Sequence, residues 1–565
     1  MTGWKVGQVS FTLGPPSLTP PAPPLRDAKA DAALLGRVLE TARSGDIDAA
    51  TNLAETALAG GLEHPLLFNL VAGRREAEGR FEDALALLQR AHATSPADVG
   101  VRQALGLVLH RLERYREALA HFDAVVAAQP DFAPAHGVRG LALEALGEIS
   151  SARAAYDRAL ELQPENFAAM AGAASLASRR GAHAEARDLA ERVLRAAPGY
   201  PDAVMSLASA DLAQGAPEAA EARLRDLSAD RRATPQQQAL AIGLLGDVLD
   251  AQGRAEEAFA AYSGCNERLI EAYRDRFGSG QSALAYVAEM IETLRHAPSG
   301  AWSATPEPSA GGASDHVFLM GFFRSGTTLL EQVLASHPRV EALEERETLV
   351  DAIEAYGRRP QDLMQFAAAG DADLTRLRQA YWARVAEEGA RPAGKVFVDK
   401  QPLNAFKLPL ISRLFPDAKV LFARRDPRDV VLGCFRRRFA MSAPTYQMLT
   451  LRGTADYYDA AMRLGARIGH DFPLDQLVVR HEALIEDFDA VAQEVCAFLG
   501  LEWSEAMRDF AARVRDRGIA TPSAAQLTGG LSGEGVGHWR WYAKPMAAVL
   551  PTLAPWVDTF GYAST

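Results

Sequence analysis

Apolar residues in the first half of the chain recur at the three- and four-residue spacing of amphipathic helices. In the stretch 133–166, for example, two such runs flank Gly147, and Pro164 stands where the second run ends. A proline cannot continue a helix, and a glycine takes the left-handed conformation of a tight turn at little cost. The pattern therefore predicts a helical hairpin.

This hairpin unit is repeated every 34 residues. A proline at the end of the unit, a glycine in its turn and an alanine five residues after that glycine recur in phase: Pro96, Pro130, Pro164 and Pro198; Gly45, Gly79, Gly147, Gly181 and Gly215; Ala50, Ala84, Ala118, Ala152, Ala186 and Ala220. Glu113 interrupts the glycine series. The alanine is interpreted as a small residue that lets two helices pack closely. Residues 30–270 are expected to form roughly seven hairpins.

The hydrophobic pattern changes after residue 270. One more amphipathic helix is expected over 281–295, followed by a linker over 298–314 that is rich in Pro, Ser, Gly and Ala. From His316 the pattern is that of an α/β domain, with predicted strands over 316–322, 395–400 and from 419, and a helix over 327–336. We therefore divide the chain into a Pro-rich, disordered N-terminus (1–29), the repeats (30–270), a helix and linker (271–314) and an α/β domain (315–565).

Composition narrows the function classes. The chain has 565 residues, 48% of them apolar and 23% charged, which is ordinary for a folded protein. A net charge of -12 gives no general case for nucleic acid, so an anion site requires a local concentration of basic residues. Three widely separated cysteines indicate neither a structural zinc nor a disulfide scaffold, and no apolar run reaches the length of a membrane span. The cytoplasm is the expected compartment.

The loop after the first predicted strand has the features of an anion site. A strand, a Gly-containing loop and a helix N-terminus present backbone N–H groups and a helix dipole to an anion. Arg324 and the hydroxyls of Ser325, Thr327 and Thr328 add hydrogen-bond donors. The spacing of Gly321 and Gly326 imitates a P-loop, but Thr327 stands where a P-loop NTPase carries lysine. This departure argues against an ATPase.

A second basic segment follows. Residues 391–438 contain twelve Lys or Arg against four Asp, a net +8 in a chain of net -12. Arg424 and Arg425 stand at the end of a predicted strand, where open α/β sheets place their ligands, so we favour an anion-binding role for them. Arg436, Arg437 and Arg438 are equally consistent with a solvated helix face.

These motifs resemble two families. The 34-residue unit resembles the tetratricopeptide repeat, whose arrays families use to hold peptides or partner proteins. The text from Arg324 to Pro338 resembles the 5′-phosphosulfate loop of sulfotransferases, specifically the bacterial tetratricopeptide-repeat group and the related tyrosylprotein sulfotransferases. Three further segments are similar to that family in chain order: 399–402 (Asp-Lys-Gln-Pro), 419–429, which looks like its 3′-phosphate segment, and 535–540 with Trp539 and Arg540.

The resemblance implies a donor, 3′-phosphoadenosine 5′-phosphosulfate, and a set of site residues. Catalytic roles are expected for Glu345 as the base, Lys400 as the acid toward the leaving phosphate, and Arg324. Donor contacts are expected from Arg324, Ser325, Gly326, Thr327, Thr328, Arg425, Gly433, Trp539 and Arg540, and no metal is required. Gly433 stands where relatives carry serine, which removes one hydroxyl, and Gly537 replaces a catalytic serine of the tyrosylprotein enzymes. His337, at the far end of the helix that follows the loop, is expected to be structural. His481 occupies a place where the family often has tyrosine.

The expected protein is thus an all-α tetratricopeptide solenoid followed by a P-loop-like α/β sulfotransferase domain with a central parallel sheet. Its acceptor is left open between a protein side chain, such as tyrosine held by the repeats, and a glycan or small molecule. Neither nucleic acid nor a membrane span is expected, and a homo-oligomer is compatible with the sequence. The rival functions are a P-loop-like kinase and a nucleotide-binding repeat scaffold without catalysis.

Overall fold

The computed structural model describes residues 28–304, 312–468, 470–517, 527 and 529–563. The predicted disorder of residues 1–27 and most of the Pro-rich part of the linker, 305–311, lie outside these ranges. Ala28 and Lys29, which were assigned to the disordered segment, are already helical. By its packing, the chain divides into two compact units, Met1–Ala142 and Leu143–Thr565.

Fourteen helices fill the described residues from 28 to 272, in the order that seven hairpins require. They are α1 Ala28–Arg43, α2 Ile47–Ala59, α3 Pro65–Ala77, α4 Phe81–Thr94, α5 Val99–Arg111, α6 Tyr115–Ala128, α7 Ala133–Ala145, α8 Ile149–Leu162, α9 Phe167–Arg179, α10 His183–Ala196, α11 Pro201–Ala213, α12 Pro217–Ala229, α13 Pro235–Ala251 and α14 Ala255–Ala272.

The glycine and alanine positions that recur every 34 residues have a direct structural role. Gly79 and Gly147 adopt φ values of 75° and 77° in the turns, and Glu113 takes φ 59° at the interrupted position, so the same left-handed turn is kept there without glycine. Ala84 and Ala152 are completely buried between their helices. The two short residues thus shape each hairpin, one by its backbone and one by its size.

The last hairpin, α13 and α14, packs against segments of the C-terminal domain. Asn266 Nδ2 donates to the carbonyl oxygen of Phe435 at 3.0 Å, and the rings of Phe259 and Phe435 stack with centroids 5.2 Å apart. The compact unit Leu143–Thr565 consequently includes these helices together with the whole α/β domain, so the two units do not divide near residue 270.

The α/β domain is built on five parallel strands in the order β2-β3-β1-β4-β5. The strands are β1 Asp315–Met320, β2 Val340–Glu344, β3 Val396–Lys400, β4 Lys419–Arg424 and β5 Asp475–Arg480. The remaining helices, with three 3₁₀ turns at Pro402–Lys407, Glu505–Asp509 and His538–Tyr542, are α15 Arg274–Phe277, α16 Ala283–Arg295, α17 Thr327–Ala335, α18 Val350–Tyr356, α19 Asp362–Ala367, α20 Asp371–Glu387, α21 Leu408–Leu414, α22 Pro427–Phe435, α23 Ala443–Gln447, α24 Leu451–Gly465, α25 His481–Glu486, α26 Phe488–Leu499, α27 Phe510–Arg517, α28 Ala543–Met546 and α29 Leu550–Thr559.

Helices cover both faces of this sheet. Helix α17 belongs to one apolar core with α26, whereas α22 and α24 belong to the core on the other face. From β1 the chain leaves toward β2, and from the adjacent β4 it leaves in the opposite direction toward β5. The carboxyl ends of β1 and β4 therefore form a topological switch point, the usual ligand crevice of such sheets. The predicted fold class is confirmed.

Candidate functional site

The loop between β1 and α17 is held in one conformation by a side-chain-to-backbone hydrogen bond and by close packing against β4. Arg324 and Gly326 adopt left-handed φ values of 65° and 99°. Ser325 Oγ donates to the carbonyl oxygen of Phe322 at 2.7 Å. A Cβ added at Gly321 would stand only 2.5 Å from the carbonyl oxygen of Ala423 on β4. These contacts hold the loop against the sheet and leave the N-terminus of α17 at its end, which is an arrangement that attracts anions.

A cavity of about 170 Å³ opens at this helix N-terminus. Its wall combines the loop and first turn of α17, the segment after β4, the start of α25 and the C-terminal segment 527–538. Six of the residues predicted to bind the donor line it: Arg324, Gly326, Thr327, Thr328, Arg425 and Gly433. Four loop residues and two residues that follow β4 therefore meet at the switch point.

Four arginines concentrate positive charge in the wall: Arg324, Arg425, Arg436 and Arg437. Burial, with the neighbouring charges of Arg437 and Arg425, lowers the pKa of Arg324 from its ordinary value. Burial also lowers the pKa of Arg437. In the described ranges, no carboxylate lies within ion-pair distance of Arg425 or Arg437, so the cluster favours a multiply charged anion.

The structure separates arginines that look equivalent in the sequence. Arg425 reaches the cavity, whereas the Arg424 guanidinium lies 4.0 Å from the centre of the Phe560 ring. Arg436 and Arg438 form ion pairs with Asp250 and Asp247 of α13. Arg436 and Arg438 therefore lie against the last repeat hairpin and not on a solvated helix face, whereas Arg437 lines the cavity.

His481 closes the cavity beside the loop. A Cβ at Gly326 would stand 2.7 Å from His481 Nδ1, so this position requires a residue without a side chain. Burial, reinforced by Arg425 and Arg324, lowers the pKa of His481 to about 3. The imidazole is neutral at physiological pH, and its buried Nδ1 has no hydrogen-bond partner among the described residues.

Replacing His481 by Asn should reduce the acid sensitivity of the fold. In the unfolded chain a histidine takes up a proton as the pH falls through about 6.5, whereas the folded protein resists this until about pH 3, so wild-type stability falls over that window. The His481 contribution between about pH 6.5 and pH 5 should be about 1–2 kcal/mol. Chemical unfolding of both proteins across this range measures it, and parallel pH curves would contradict the assignment.

The two predicted catalytic residues outside the loop contact each other. Lys400 Nζ donates to Glu345 Oε1 at 2.7 Å, and Lys400 is fully buried at the end of β3. Glu331, on the second turn of α17, brings a second carboxylate to 3.1 Å from the same ammonium. Burial opposes the charge of Lys400, but Glu331, Glu345 and Glu344 outweigh it and raise the pKa of Lys400. Lys400 is thus a buried, permanently charged ammonium.

Sequence reasoning missed Glu331. Its signal is a carboxylate within the largely apolar helix run from Leu329 to Ala335. Glu331 is 2% exposed, and burial raises its pKa to about 8 even though Lys400 opposes the shift. Neither Glu345 nor Lys400 lines the cavity at the α17 N-terminus, so the structure does not bring these two predicted catalytic residues into the anion-binding wall.

The C-terminal segment is fastened to α22 by Asp429. Its two carboxylate oxygens accept from the backbone N–H groups of Gly537 and Trp539, at 2.6 Å and 2.8 Å. Trp539 is buried with its ring 4.1 Å from the Arg428 guanidinium, and Arg540 is exposed. Neither lines the cavity, nor does Ser325. The residues that this segment contributes to the wall instead include Gly535 and His538, which sequence reasoning did not select.

Other sequence candidates have structural partners. Glu341 and Glu347, two further carboxylates of the segment around Glu345, form ion pairs with Lys395 and Lys407. His337 accepts from the backbone N–H of Arg339 and contacts the Glu502 carbonyl oxygen through Nε2 at 2.9 Å. Within the described ranges, no group of three or more His, Cys, Asp or Glu is arranged to hold a metal, and no helix is long and apolar enough to cross a membrane.

Comparisons with known proteins agree with both halves of this architecture. Residues 316–505 match the sulfotransferase family, and residues 76–142, 138–201 and 177–242 match the tetratricopeptide repeat. A solved tetratricopeptide repeat protein of Parabacteroides merdae is 18% identical with a TM-score of 0.34, covering 43% of this chain and 94% of that one.

Curated relatives are similar at modest identity. An uncharacterized protein of Aquifex aeolicus is 26% identical over 340 residues, which are 57% of this chain and 42% of the relative. Protein-tyrosine sulfotransferase 2 of Gallus gallus is 26% identical over 198 residues, 34% of this chain and 52% of the relative. Human protein-tyrosine sulfotransferase 1 is 29% identical over 131 residues, which are 22% of this chain and 35% of the relative. The aligned regions thus span about half or less of these relatives.

The α/β domain is thus similar to the sulfotransferase family, and the helical hairpins before it are similar to tetratricopeptide repeats. Both similarities agree with the resemblance that the motifs predicted.

Proposed function

We propose that the α/β domain transfers a sulfuryl group from 3′-phosphoadenosine 5′-phosphosulfate to an acceptor hydroxyl. The observation that carries this proposal is the cavity at the switch point, where Arg324, Arg425 and Arg437 stand around the N-terminus of α17. Their mutual repulsion in a partly dehydrated wall is relieved by an anion with more than one charged group. A nucleotide with phosphate at one end and phosphosulfate at the other meets that requirement.

The wall offers the donor groups that such a ligand needs. Arg425 Nε and His481 Nδ1 are buried polar atoms with no hydrogen-bond partner among the described residues, so both are available to a ligand. Gly326 keeps the approach to the α17 N-terminus clear, and Thr327 and Thr328 supply hydroxyls. Arginine-rich donor sets suit phosphate and sulfate oxygens. Ser325 acts by holding the loop, and Trp539 acts by packing on Arg428.

Glu345 and Lys400 have different roles in the transfer: one accepts a proton and the other stabilises negative charge. The bound donor supplies an SO₃ group, and its transfer leaves negative charge on a phosphate oxygen. Lys400, kept protonated by its carboxylate neighbours, is the cation that we assign to that charge. Glu345 is 32% exposed in its side chain and takes the proton of the acceptor hydroxyl, while its contact with Lys400 fixes its orientation.

The acceptor that we favour is a hydroxyl on a polypeptide, with tyrosine as the first candidate. The support is twofold: relatives with named activities are protein-tyrosine sulfotransferases, and helical repeat arrays commonly hold peptides. A glycan or a small hydroxylated molecule is the competing acceptor. Of the rival functions, a kinase is disfavoured because Thr327 replaces the phosphate-binding lysine of P-loop enzymes.

Calorimetry with 3′-phosphoadenosine 5′-phosphate and with ATP tests the donor assignment. The former should bind at least about tenfold more tightly, without dependence on Mg²⁺. Arg425→Ala should weaken its binding by about 10- to 150-fold, because charged hydrogen bonds are lost. Arg424→Ala, the neighbouring arginine that packs on Phe560, is the matched control and should bind as wild type does. Preferential binding of Mg-ATP would favour the kinase alternative instead.

A further inference from the structure

Two aspartates near the end of α13 contact the arginine run 436–438, which borders the donor cavity. Asp250 forms an ion pair with Arg436 and accepts from the hydroxyl of Tyr542, and its Oδ1 lies 3.0 Å from His538 Nε2. Arg436 and His538 both line the cavity but come from different segments, one after β4 and one near the C-terminus. A single carboxylate of the last repeat therefore joins two parts of the wall.

Asp247, one helical turn earlier, makes the corresponding contacts on the other side of Arg437. It forms an ion pair with Arg438 and accepts from Tyr262 of α14 at 3.0 Å. Arg438 also donates to the carbonyl oxygen of Gly243 at 3.0 Å, where an added Cβ would stand 2.5 Å from Arg438 Cδ. The glycine thus gives this side chain room to lie against α13.

The pairing decides which arginine of the run is left for the ligand to neutralise. Asp250 and Asp247 neutralise the outer two, Arg436 and Arg438, and these four side chains are only 13–22% exposed. Arg437, between them, has no carboxylate within ion-pair distance in the described part of the chain and lines the cavity. Removing one partner of such a dehydrated ion pair leaves an uncompensated charge that must move toward water or another anion.

We infer that Asp247 and Asp250 are positioning residues of the donor site and that the α13–α14 hairpin supports the wall of that site from outside the cavity. The last repeat is then not only part of an acceptor-binding array: its helix holds residues 436–438 and His538 in the geometry that receives the second charged group of the donor. This inference rests on the proposed function, because it assigns the basic segment after β4 to a phosphate of the nucleotide.

The test compares Asp250→Asn with Asp211→Asn in the full-length protein. Asp211 is a suitable control because it is also a buried repeat aspartate that pairs with two arginines, Arg187 at 2.7 Å and Arg223 at 3.0 Å, away from the cavity. Calorimetry is run with 3′-phosphoadenosine 5′-phosphate and with adenosine 5′-phosphate, which lacks the second phosphate. Asp247→Asn is a second variant in case Asp250→Asn does not fold.

The expected result is a selective loss. Asp250→Asn should weaken the binding of 3′-phosphoadenosine 5′-phosphate by at least about tenfold and that of adenosine 5′-phosphate by less than about threefold. Asp211→Asn should change the affinity for neither ligand. Equal weakening of both ligands, or wild-type binding of both, would overturn the inference, since a merely structural role does not discriminate between them. If wild type fails to bind 3′-phosphoadenosine 5′-phosphate, the proposed function itself fails, and this inference with it.

Discussion

A Glu345→Gln variant is expected to transfer sulfuryl groups about 10²- to 10⁴-fold more slowly than wild type, with unchanged donor affinity. Glutamine keeps an oxygen that accepts from Lys400 Nζ, so the local structure is retained while the base is lost. The initial rate of label transfer measures the first effect, and calorimetry with 3′-phosphoadenosine 5′-phosphate measures the second.

The same segment supplies matched controls for this variant. Glu341 and Glu347 are carboxylates of similar sequence context that pair with the partly exposed Lys395 and Lys407 instead of a buried lysine. Glu341→Gln and Glu347→Gln should therefore retain wild-type rates within about threefold. A comparable loss in either control, or a near-wild-type rate in Glu345→Gln, would remove Glu345 from the role of base.

A Lys400→Met variant is expected to lose both stability and activity. Lys400 is fully buried between Glu331 and Glu345, so methionine leaves the buried Glu331 carboxyl group, whose pKa is already raised to about 8, without its partner. Leaving a buried polar group without its hydrogen-bond partner costs about 1–3 kcal/mol of unfolding free energy. Sulfuryl transfer should fall by at least about 10²-fold because the charge that stabilises the leaving group is absent.

A second substitution separates the two effects. Lys400→Met combined with Glu331→Met removes both members of the buried pair, and apolar replacement of an entire buried pair is often close to neutral for stability. The double variant should regain most of the lost stability in chemical unfolding but none of the lost transfer. If the double variant is as unstable as Lys400→Met, Glu331 is not the group left unpaired. If it transfers at the wild-type rate, Lys400 has no part in the chemistry.

Local rules were sufficient for the elements around the anion loop. The apolar run before Gly321, the start of a helix at Thr327 and the proline at the start of α22 could each be read from neighbouring residues. The repeats were equally accessible because each unit copies the same short-range pattern. Only the interrupted turn at Glu113 shows that the hairpin geometry can keep a left-handed residue that is not glycine.

The rest of the site depends on contacts between distant segments. Asp250 and Arg436 lie 186 residues apart, and nothing in either neighbourhood indicates that they pair. The same holds for Glu331 and Lys400, which are joined only when β3 lies beside β1 and α17 covers that face. At the end of β4, the sequence favoured both Arg424 and Arg425, but only Arg425, the first residue after the strand, lines the cavity, whereas Arg424 packs on Phe560.

The central claim is tested most directly by incubating the full-length protein with radiolabelled 3′-phosphoadenosine 5′-phosphosulfate and fractionated cell extract. The account predicts metal-independent labelling of acceptor by wild type, and by the Glu341→Gln and Glu347→Gln controls, with loss of labelling in Glu345→Gln and Lys400→Met. The fraction that carries the label identifies the acceptor as protein, glycan or small molecule. If wild type labels no fraction more strongly than Glu345→Gln does, the proposed sulfotransferase activity is contradicted.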